Sequence, residues 1–387
     1  MSVWDDVIGQ PAAVEQFQGA AASAHGRGSA FGMTHAWLIT GPPGSGRSVA
    51  AIALAAALVC PTEGCSSCTA CRSVLSQGHP DVTVIRSTTL SHGKEQTKAL
   101  VVEAAGSPVT APWRIMIIED ADRMTEAAAN TLLKAIEEPA ATTVWILCAP
   151  SAEDLLPTIR SRTRHVSLRV PPPVAVAELL EREGVDATMA SFAAHASQGH
   201  IGRARALATR EATRSRRAMV LKVPRMMSGI TDAYGMAHDL RKVAEADAKE
   251  RTKELDDEES ADLLTAYGQG AEGISAGKVK ALAGRAMSEL TKTQNQRASR
   301  SVRDELDRYF VDFLGFYRDV LTVQLGTGQE LINVDLRPAI EQAAQSDDTT
   351  MTMKRIDAIT AARAQLEGNV PPALVCESLM VQLLHPL

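Results

Sequence analysis

The stretch Ala36-Trp37-Leu38-Ile39-Thr40-Gly41-Pro42-Pro43-Gly44-Ser45-Gly46-Arg47-Ser48, continuing as VAAIALAAALV from Val49 to Val59, decides the fold. Its first five residues form a short apolar run that reads as a buried strand, and Gly41 to Gly44 end it in a turn. From Ser48 to Val59 the chain is rich in helix formers and apolar on nearly all sides, so a buried helix is expected. Residues 41–48 fit the pattern G-x-x-x-x-G-K-[ST] at every position but one. In such a loop the glycines let backbone N–H groups wrap phosphates, the following helix N-terminus favours the anion, and the final hydroxyl, here Ser48, holds Mg²⁺. Gly41, Pro42, Gly44, Ser45, Gly46, Arg47 and Ser48 are therefore the expected phosphate-binding residues. Arg47 stands where the lysine should. A wide planar guanidinium replaces a compact point charge on a slim stem, which leaves nucleotide binding feasible and impairs close approach to the β and γ oxygens.

Outward from this unit, strand-like runs recur at Val82–Ile85, Arg114–Ile118 and Val144–Leu147, with helical patterns between them, including Thr125–Glu138. Strands alternating with helices over the first 165 or so residues predict an α/β fold: a parallel sheet with helices on both faces. The strand Ile115-Met116-Ile117-Ile118 runs into Glu119-Asp120, the second half of the expected nucleotide site. The usual order is Asp and then Glu, the first for Mg²⁺ and the second to polarise the attacking water. Exchanging them retracts the base by one methylene, and a displacement near 1 Å costs about a hundredfold in rate. Hydrolysis by this chain is therefore expected to be weak.

Pro171-Pro172-Pro173 fits neither a strand nor a helix interior and marks a boundary. Beyond it the pattern is helical: Val174–Glu183, Ala187–Ala196 and Ile201–Arg217, then long amphipathic segments that include a heavily charged one, Ala244–Glu259. Leu306, Phe310, Phe313, Tyr317 and Leu321 make a wide apolar stripe that reads as the core of a bundle. The expected division is an α/β domain over 1–168, a small helical lid over 169–210, and an all-helical domain over 211–387.

Four of the six cysteines follow the phosphate-loop helix with the spacing Cys60-x4-Cys65-x2-Cys68-x2-Cys71. Four thiolates suffice for tetrahedral Zn²⁺ with no open position, which makes the site structural rather than catalytic. A four-cysteine iron–sulfur cluster is the alternative occupant, and His79 an alternative ligand to Cys60. Cys148 and Cys376 stand alone and read as small buried hydrophobes. A net charge of −6 over 387 residues excludes a generally basic, nucleic-acid-coating protein. The basic stretch Arg214, Arg216, Arg217, Lys222 and Arg225 reads either as a DNA contact or as a solvated helix face. The sequence offers no run of about 18 apolar residues and no secretory leader, so a cytoplasmic protein without a membrane partner is expected.

Three segments carry a family resemblance. Asn130-Thr131-Leu132-Leu133-Lys134-Ala135-Ile136-Glu137-Glu138-Pro139 is similar to the N-x-L-L-K-x-x-E-E-P segment of the clamp-loader AAA+ family. Ser161-Arg162-Thr163 resembles that family's S-R-C motif, with Thr163 in place of cysteine. Trp4-Asp5-Asp6-Val7-Ile8-Gly9-Gln10 resembles its opening segment. The resemblance covers residues 1–210 by motif and the remainder by helical character and position. It implies that Val7 and Ile8 flank adenine, that Glu119 and Asp120 face Mg²⁺ and water, and that Arg203 (or else Arg205) is the sensor arginine of the lid. It implies a zinc module of four cysteines after the phosphate-loop helix, and a collar formed by the C-terminal helices. The sensor position after Val144–Leu147 falls on Ala149 or Pro150, neither with a hydroxyl; Ser151 would serve only by a slip in register.

In that family the S-R-C arginine projects into a neighbouring subunit's nucleotide site. A guanidinium stays charged at any relevant pH and meets phosphate bidentately, which suits transition-state stabilisation in trans. The resemblance therefore implies a ring member that donates Arg162 while its own ATPase is weak, rather than the motor itself. The partners it implies are gamma/tau-type motor subunits and a delta subunit in a hetero-pentameric ring, a sliding clamp, and primer-template DNA. The ATP-hydrolysing motor of a clamp loader, or of a related DNA-remodelling machine, is the alternative. A zinc adaptor without nucleotide context would not explain residues 130–139.

Overall fold

The computed structural model describes residues 2–27, 32–86, 94–268, 276–368 and 370–385. They fall into two compact units, with the boundary between Thr209 and Arg210.

The first unit is built on five parallel strands: β1 (Ala36–Thr40), β2 (Val82–Ile85), β3 (Arg114–Ile118), β4 (Thr143–Ala149) and β5 (Arg164–Ser167), in the spatial order β2-β3-β4-β1-β5. In register, Ile39 lies beside Cys148, Thr40 beside Ala149, and Ile118 beside Leu147, so β1 and β4 end level and β3 ends two residues earlier. The helices are α1 (Pro11–Ala24), α2 (Arg47–Val59), α3 (Thr69–Leu75), α4 (Lys94–Ala104), α5 (Glu126–Glu137) and α6 (Pro157–Arg160), and then α7 (Pro173–Arg182), α8 (Ala187–Ala196) and α9 (Ile201–Thr209).

Strand alternation sends successive side chains to opposite faces, and the core divides accordingly. Trp37, Ile39, Ile115, Ile117, Ile146 and Cys148 pack with α1 and α2. Leu38, Met116, Ile118, Trp145, Leu147 and Ala149 pack with residues of α4, α5 and α6. The central strands β1 and β4 are buried along their whole length, which is why they read as unbroken apolar runs. The edge strand β5 exposes His165 and Ser167, and its polar sequence gave no strand signal. Ile8 joins the core of α7 to α9 with Val176, Leu180, Ile201 and Leu207.

The second unit is helical: α10 (Glu211–Val220), α11 (Val223–Met226), α12 (Ile230–Ala266), α13 (Ala276–Leu325), α14 (Arg337–Ser346), α15 (Thr349–Glu367) and α16 (Pro372–Leu384). The expected helix Ile201–Arg217 is two helices. Arg210 takes an extended conformation (φ −117°, ψ 112°), so α9 ends and α10 starts afresh. The aromatic stripe is core, with Leu306, Phe310, Phe313 and Tyr317 buried against α12, α15 and α16 residues. Two arginines of the basic stretch turn inward. Arg216 Nη1 pairs with Asp247 Oδ1 at 2.7 Å, and Arg217, 5% exposed, reaches Asp312, Asp335 and Asn333. No described helix is long and apolar enough to cross a membrane.

Candidate functional site

The loop between β1 and α2 has the shape its glycines permit. Gly41, Gly44 and Gly46 all have positive φ (156°, 88° and 90°), where a side chain is strained. Space is short as well. A Cβ on Gly44 would lie 2.5 Å from His200 Cα, and one on Gly41 would lie 2.8 Å from the Leu168 carbonyl oxygen. The start of α9 therefore sits directly on the loop. Gln10 ties a third element to it. Its amide donates to the Arg169 carbonyl at 2.6 Å and to the Ser45 carbonyl at 3.4 Å, while its oxygen accepts from Arg169 N at 3.0 Å. The predicted adenine residues Val7 and Ile8 immediately precede Gly9-Gln10, and both are buried.

Two features fit an anion in this loop. Gly46 caps α2 with no side-chain acceptor, so the first N–H groups of a 13-residue helix lack a capping partner. Ser45 Oγ is buried without a hydrogen-bond partner. The catalytic side fits less well. Arg47 Nη1 donates to the Gly41 carbonyl at 2.7 Å, folding the guanidinium back onto its own loop. Glu119, at the end of β3, accepts from Arg86 Nε at 3.1 Å. Asp120 is left-handed (φ 52°), a strained setting for a non-glycine residue. Cys148 Sγ lies 3.9 Å from the Arg47 carbonyl oxygen, and burial, reinforced by the Glu119 carboxylate, pushes its thiol up to about 12. Asp122, unremarked in the sequence, is also part of this surface. Burial, then repulsion from Asp120, raises its carboxyl, with Arg47 opposing them.

Neither sensor position supplies a free hydroxyl. Ala149 is buried at the end of β4, and Ser151 turns to its own loop, its hydroxyl meeting Glu153 and its N–H meeting Asp154 Oδ2 at 3.0 Å. Of the two lid arginines, Arg205 is held by both carboxylate oxygens of Glu183 at 2.9 and 3.0 Å through Nε. Arg203, in the first turn of α9, donates its backbone N–H to His200 Nδ1 at 3.2 Å. His200 is a neighbour of the loop that sequence reasoning missed, since nothing in its local pattern marks it.

The two family segments meet in space. Arg162, two residues past α6, pairs through Nε with Oε1 of Glu137, the last residue of α5, at 2.7 Å. Its Nη1 donates to the Thr158 carbonyl at 3.0 Å and to Ser161 Oγ at 3.2 Å. Both partners stay partly exposed, Arg162 39% and Glu137 43%.

The four cysteines of 60–71 converge, their sulfurs all within 4.8 Å of one another. Cys60 Sγ is 3.7 Å from the sulfurs of both Cys65 and Cys68. Tetrahedral ligands at a metal–sulfur distance of 2.3 Å lie ~3.8 Å apart, so the set fits a metal ion closely. Local structure forms it: Cys60 caps α2, Cys68 caps α3, and the N–H groups of Cys68 and Cys71 point at Cys65 Sγ (3.4 Å) and Cys68 Sγ (3.3 Å). The Ser67 hydroxyl, helped by Thr62 and backbone N–H groups, lowers Cys65 to about 5, whereas burial raises Cys71. His79 is turned away, with Nδ1 accepting from Asp81 N at 3.1 Å, and it is Cys60 that lies with the other three sulfurs.

Residues 9–172 match the family model described as DNA polymerase III, delta subunit. The chain is 27% identical to DNA polymerase III subunit delta' of Bacillus subtilis over 354 residues, 91% of either protein. The family match covers under half of the chain, and over most of its length the chain is similar to a DNA polymerase III delta-prime subunit. Another delta-prime relative, that of Escherichia coli, is 33% identical over 186 residues, 45% of this chain and 54% of the relative. DNA polymerase III subunit gamma/tau of Mycobacterium tuberculosis is 36% identical over 162 residues, 40% of this chain and 28% of that protein, so the chain spans under a third of its gamma/tau relatives. Among solved structures, a DNA polymerase III gamma subunit-related protein of Thermotoga maritima aligns over 90% of this chain and 94% of its own, at 15% identity and a TM-score of 0.36.

Proposed function

We propose that this chain is the stator of a bacterial clamp loader. It joins a ring of gamma/tau-type motor subunits and a delta subunit through its helical second unit, and it donates Arg162 to a neighbour's ATP site. Hydrolysis there drives loading of a sliding clamp on primer-template DNA in the cytoplasm. The observation that carries the reading is the contrast between two arginines. Arg47 is folded back onto Gly41, and the carboxylate beside it is engaged by Arg86, so the chain's own site is poorly arranged for turnover. Arg162 stands partly exposed on a braced side chain, positioned to meet a phosphoryl group from outside.

Each residue acts from a fixed place. Arg162 would place positive charge against the oxygens of a phosphoryl group in transfer at the neighbouring site. Gly41, Gly44, Gly46 and Ser45 would hold the phosphates of a nucleotide bound at this chain's own loop, with Ser48, Glu119 and Asp120 toward its Mg²⁺, Val7 and Ile8 toward the base, and Arg203 from the lid. Such a nucleotide would supply binding energy that fixes α9 against the loop, without rapid hydrolysis. Cys60, Cys65, Cys68 and Cys71 would hold a structural Zn²⁺, whose closed thiolate set leaves no position for chemistry.

The test is ATP turnover by the purified chain, alone and after reconstitution with the motor and delta subunits, clamp and primed DNA. The chain alone is expected to be inactive, and Arg162→Ala is expected to slow the reconstituted ring by about 10³-fold or more while leaving assembly intact. Robust turnover by the chain alone, or an unchanged rate in the Arg162→Ala ring, would refute the stator reading.

A further inference from the structure

The contact between α5 and the α6 turn bears on how the arginine is presented. Glu137 and Arg162 come from segments separated by the whole of β4, yet both sit next to core anchors. Ile136 and Ile159 are fully buried in the same apolar cluster, and the Ile136 carbonyl is held by His35 Nε2 at 2.8 Å. The backbone on each side of the pair is thus fixed. Of the guanidinium's nitrogens, Nε faces Glu137 and Nη1 faces the Thr158 carbonyl and Ser161 Oγ. Ser161 is held in turn, its hydroxyl donating to the Thr158 carbonyl at 3.1 Å. Among the described residues, Nη2 has no acceptor. Two nitrogens of the fork are therefore engaged within this chain, and Nη2 is the one left for a partner.

We infer that Glu137 is a positioning residue for Arg162: its carboxylate locks Nε so that Nη2 is aimed out of this chain toward the neighbour's phosphoryl group. The inference rests on the stator reading and adds the residue that sets the finger's geometry. An unbraced arginine has many rotamers, and a brace that selects one in advance removes that search from the reaction step. The carboxylate suits this task because its negative charge, 2.7 Å from Nε, attracts the guanidinium to one side of the turn. A solvated surface ion pair of this exposure contributes little to stability, so the contact has scope to act on function without being needed for the fold.

The experiment uses the full chain in the reconstituted ring, with Glu137→Ala, Glu137→Gln, Arg162→Ala and the double variant Glu137→Ala/Arg162→Ala. Freeing the arginine's rotamers should lower kcat for ATP roughly tenfold to thirtyfold, with KM for ATP unchanged and the thermal midpoint and ring assembly as in the parent. Glu137→Gln removes the charge that holds Nε and should lose nearly as much as Glu137→Ala. In the Arg162→Ala background, Glu137→Ala should cost nothing further, because nothing remains to be positioned. The inference is overturned if Glu137→Ala leaves kcat unchanged while Arg162→Ala slows the ring, or if the two losses simply multiply. If Arg162→Ala itself has no effect, the stator reading fails, and the positioning role fails with it.

Discussion

If the cysteine cluster holds a metal, as proposed above, removing it should loosen the N-terminal segment that carries Val7 and Ile8. The loop between Cys60 and Cys65 supports the N-terminal segment directly. The Gly64 carbonyl accepts from Val3 N at 3.0 Å and from Ser2 Oγ at 3.1 Å. The approach is close enough that a Cβ on Gly64 (φ 103°) would lie 2.5 Å from Val3 Cγ2. Without an ion, four sulfurs within 4.8 Å of one another would be held only by weak S–H contacts, and any thiolates among them would repel. The loop should open and release both hydrogen bonds, each contributing about 1 kcal/mol. Val3, 1% exposed, would return to solvent at a further cost of ~1.5 kcal/mol. The combined loss is about 3–4 kcal/mol, which for a unit of this size lowers the unfolding midpoint by roughly 6–16 °C. The assay is scanning calorimetry of the full chain under reducing conditions, before and after chelation, with metal content measured on the same samples. Cys65→Ser should reproduce the loss, and Cys376→Ser should retain the metal. The reasoning is refuted if freshly reduced protein contains no stoichiometric metal, or if chelation empties the site and leaves the midpoint unchanged.

Two further outcomes are expected. Asp81 is fully buried and accepts from Val109 N, Thr110 N, Thr110 Oγ1 and Ala111 N at 2.6–2.9 Å; burial would raise its carboxyl, but these donors prevail and hold it at about 2 rather than 3.8. Its folded form thus favours the charged state, so about 2 kcal/mol of stability is present above pH 3.8 and is lost as pH falls through 2; acid titration of Asp81→Asn should lack this slope, and an identical slope would rule the assignment out. In the second unit, Arg217→Ala removes a buried cation beside Asp312 and a donor to Asn333 Oδ1, and it should destabilise that unit by about 3–5 kcal/mol in denaturant melts. A neutral result, or a change confined to salt-dependent DNA binding, would instead make Arg217 a surface contact.

Much of this was legible from local chemistry. The strand, glycine loop and buried helix of residues 36–59 follow from apolar pattern and φ-permissive residues, and the sheet follows from repetition of that pattern. The cysteine cluster was readable because ligand spacing within 12 residues is a local property. The short edge strand β5 was not, since one buried residue in four leaves no periodicity. The end of α9 at Arg210 was equally silent, because its sequence is as helix-compatible as its flanks.

What the sequence determined by itself was the inventory: which residue types stand at the phosphate loop, at Glu119-Asp120, at Arg162 and at the four cysteines, because each is fixed by its neighbours along the chain. Only the tertiary structure decided how they are used. It brought Cys60 rather than His79 to the other three sulfurs, gave Arg205 to Glu183, turned Arg216 and Arg217 inward, and set Glu137 against Arg162. Those outcomes depend on contacts between residues as many as 118 positions apart. No local pattern encodes such contacts, since the direction of a long side chain is chosen by the partner that folding brings within reach.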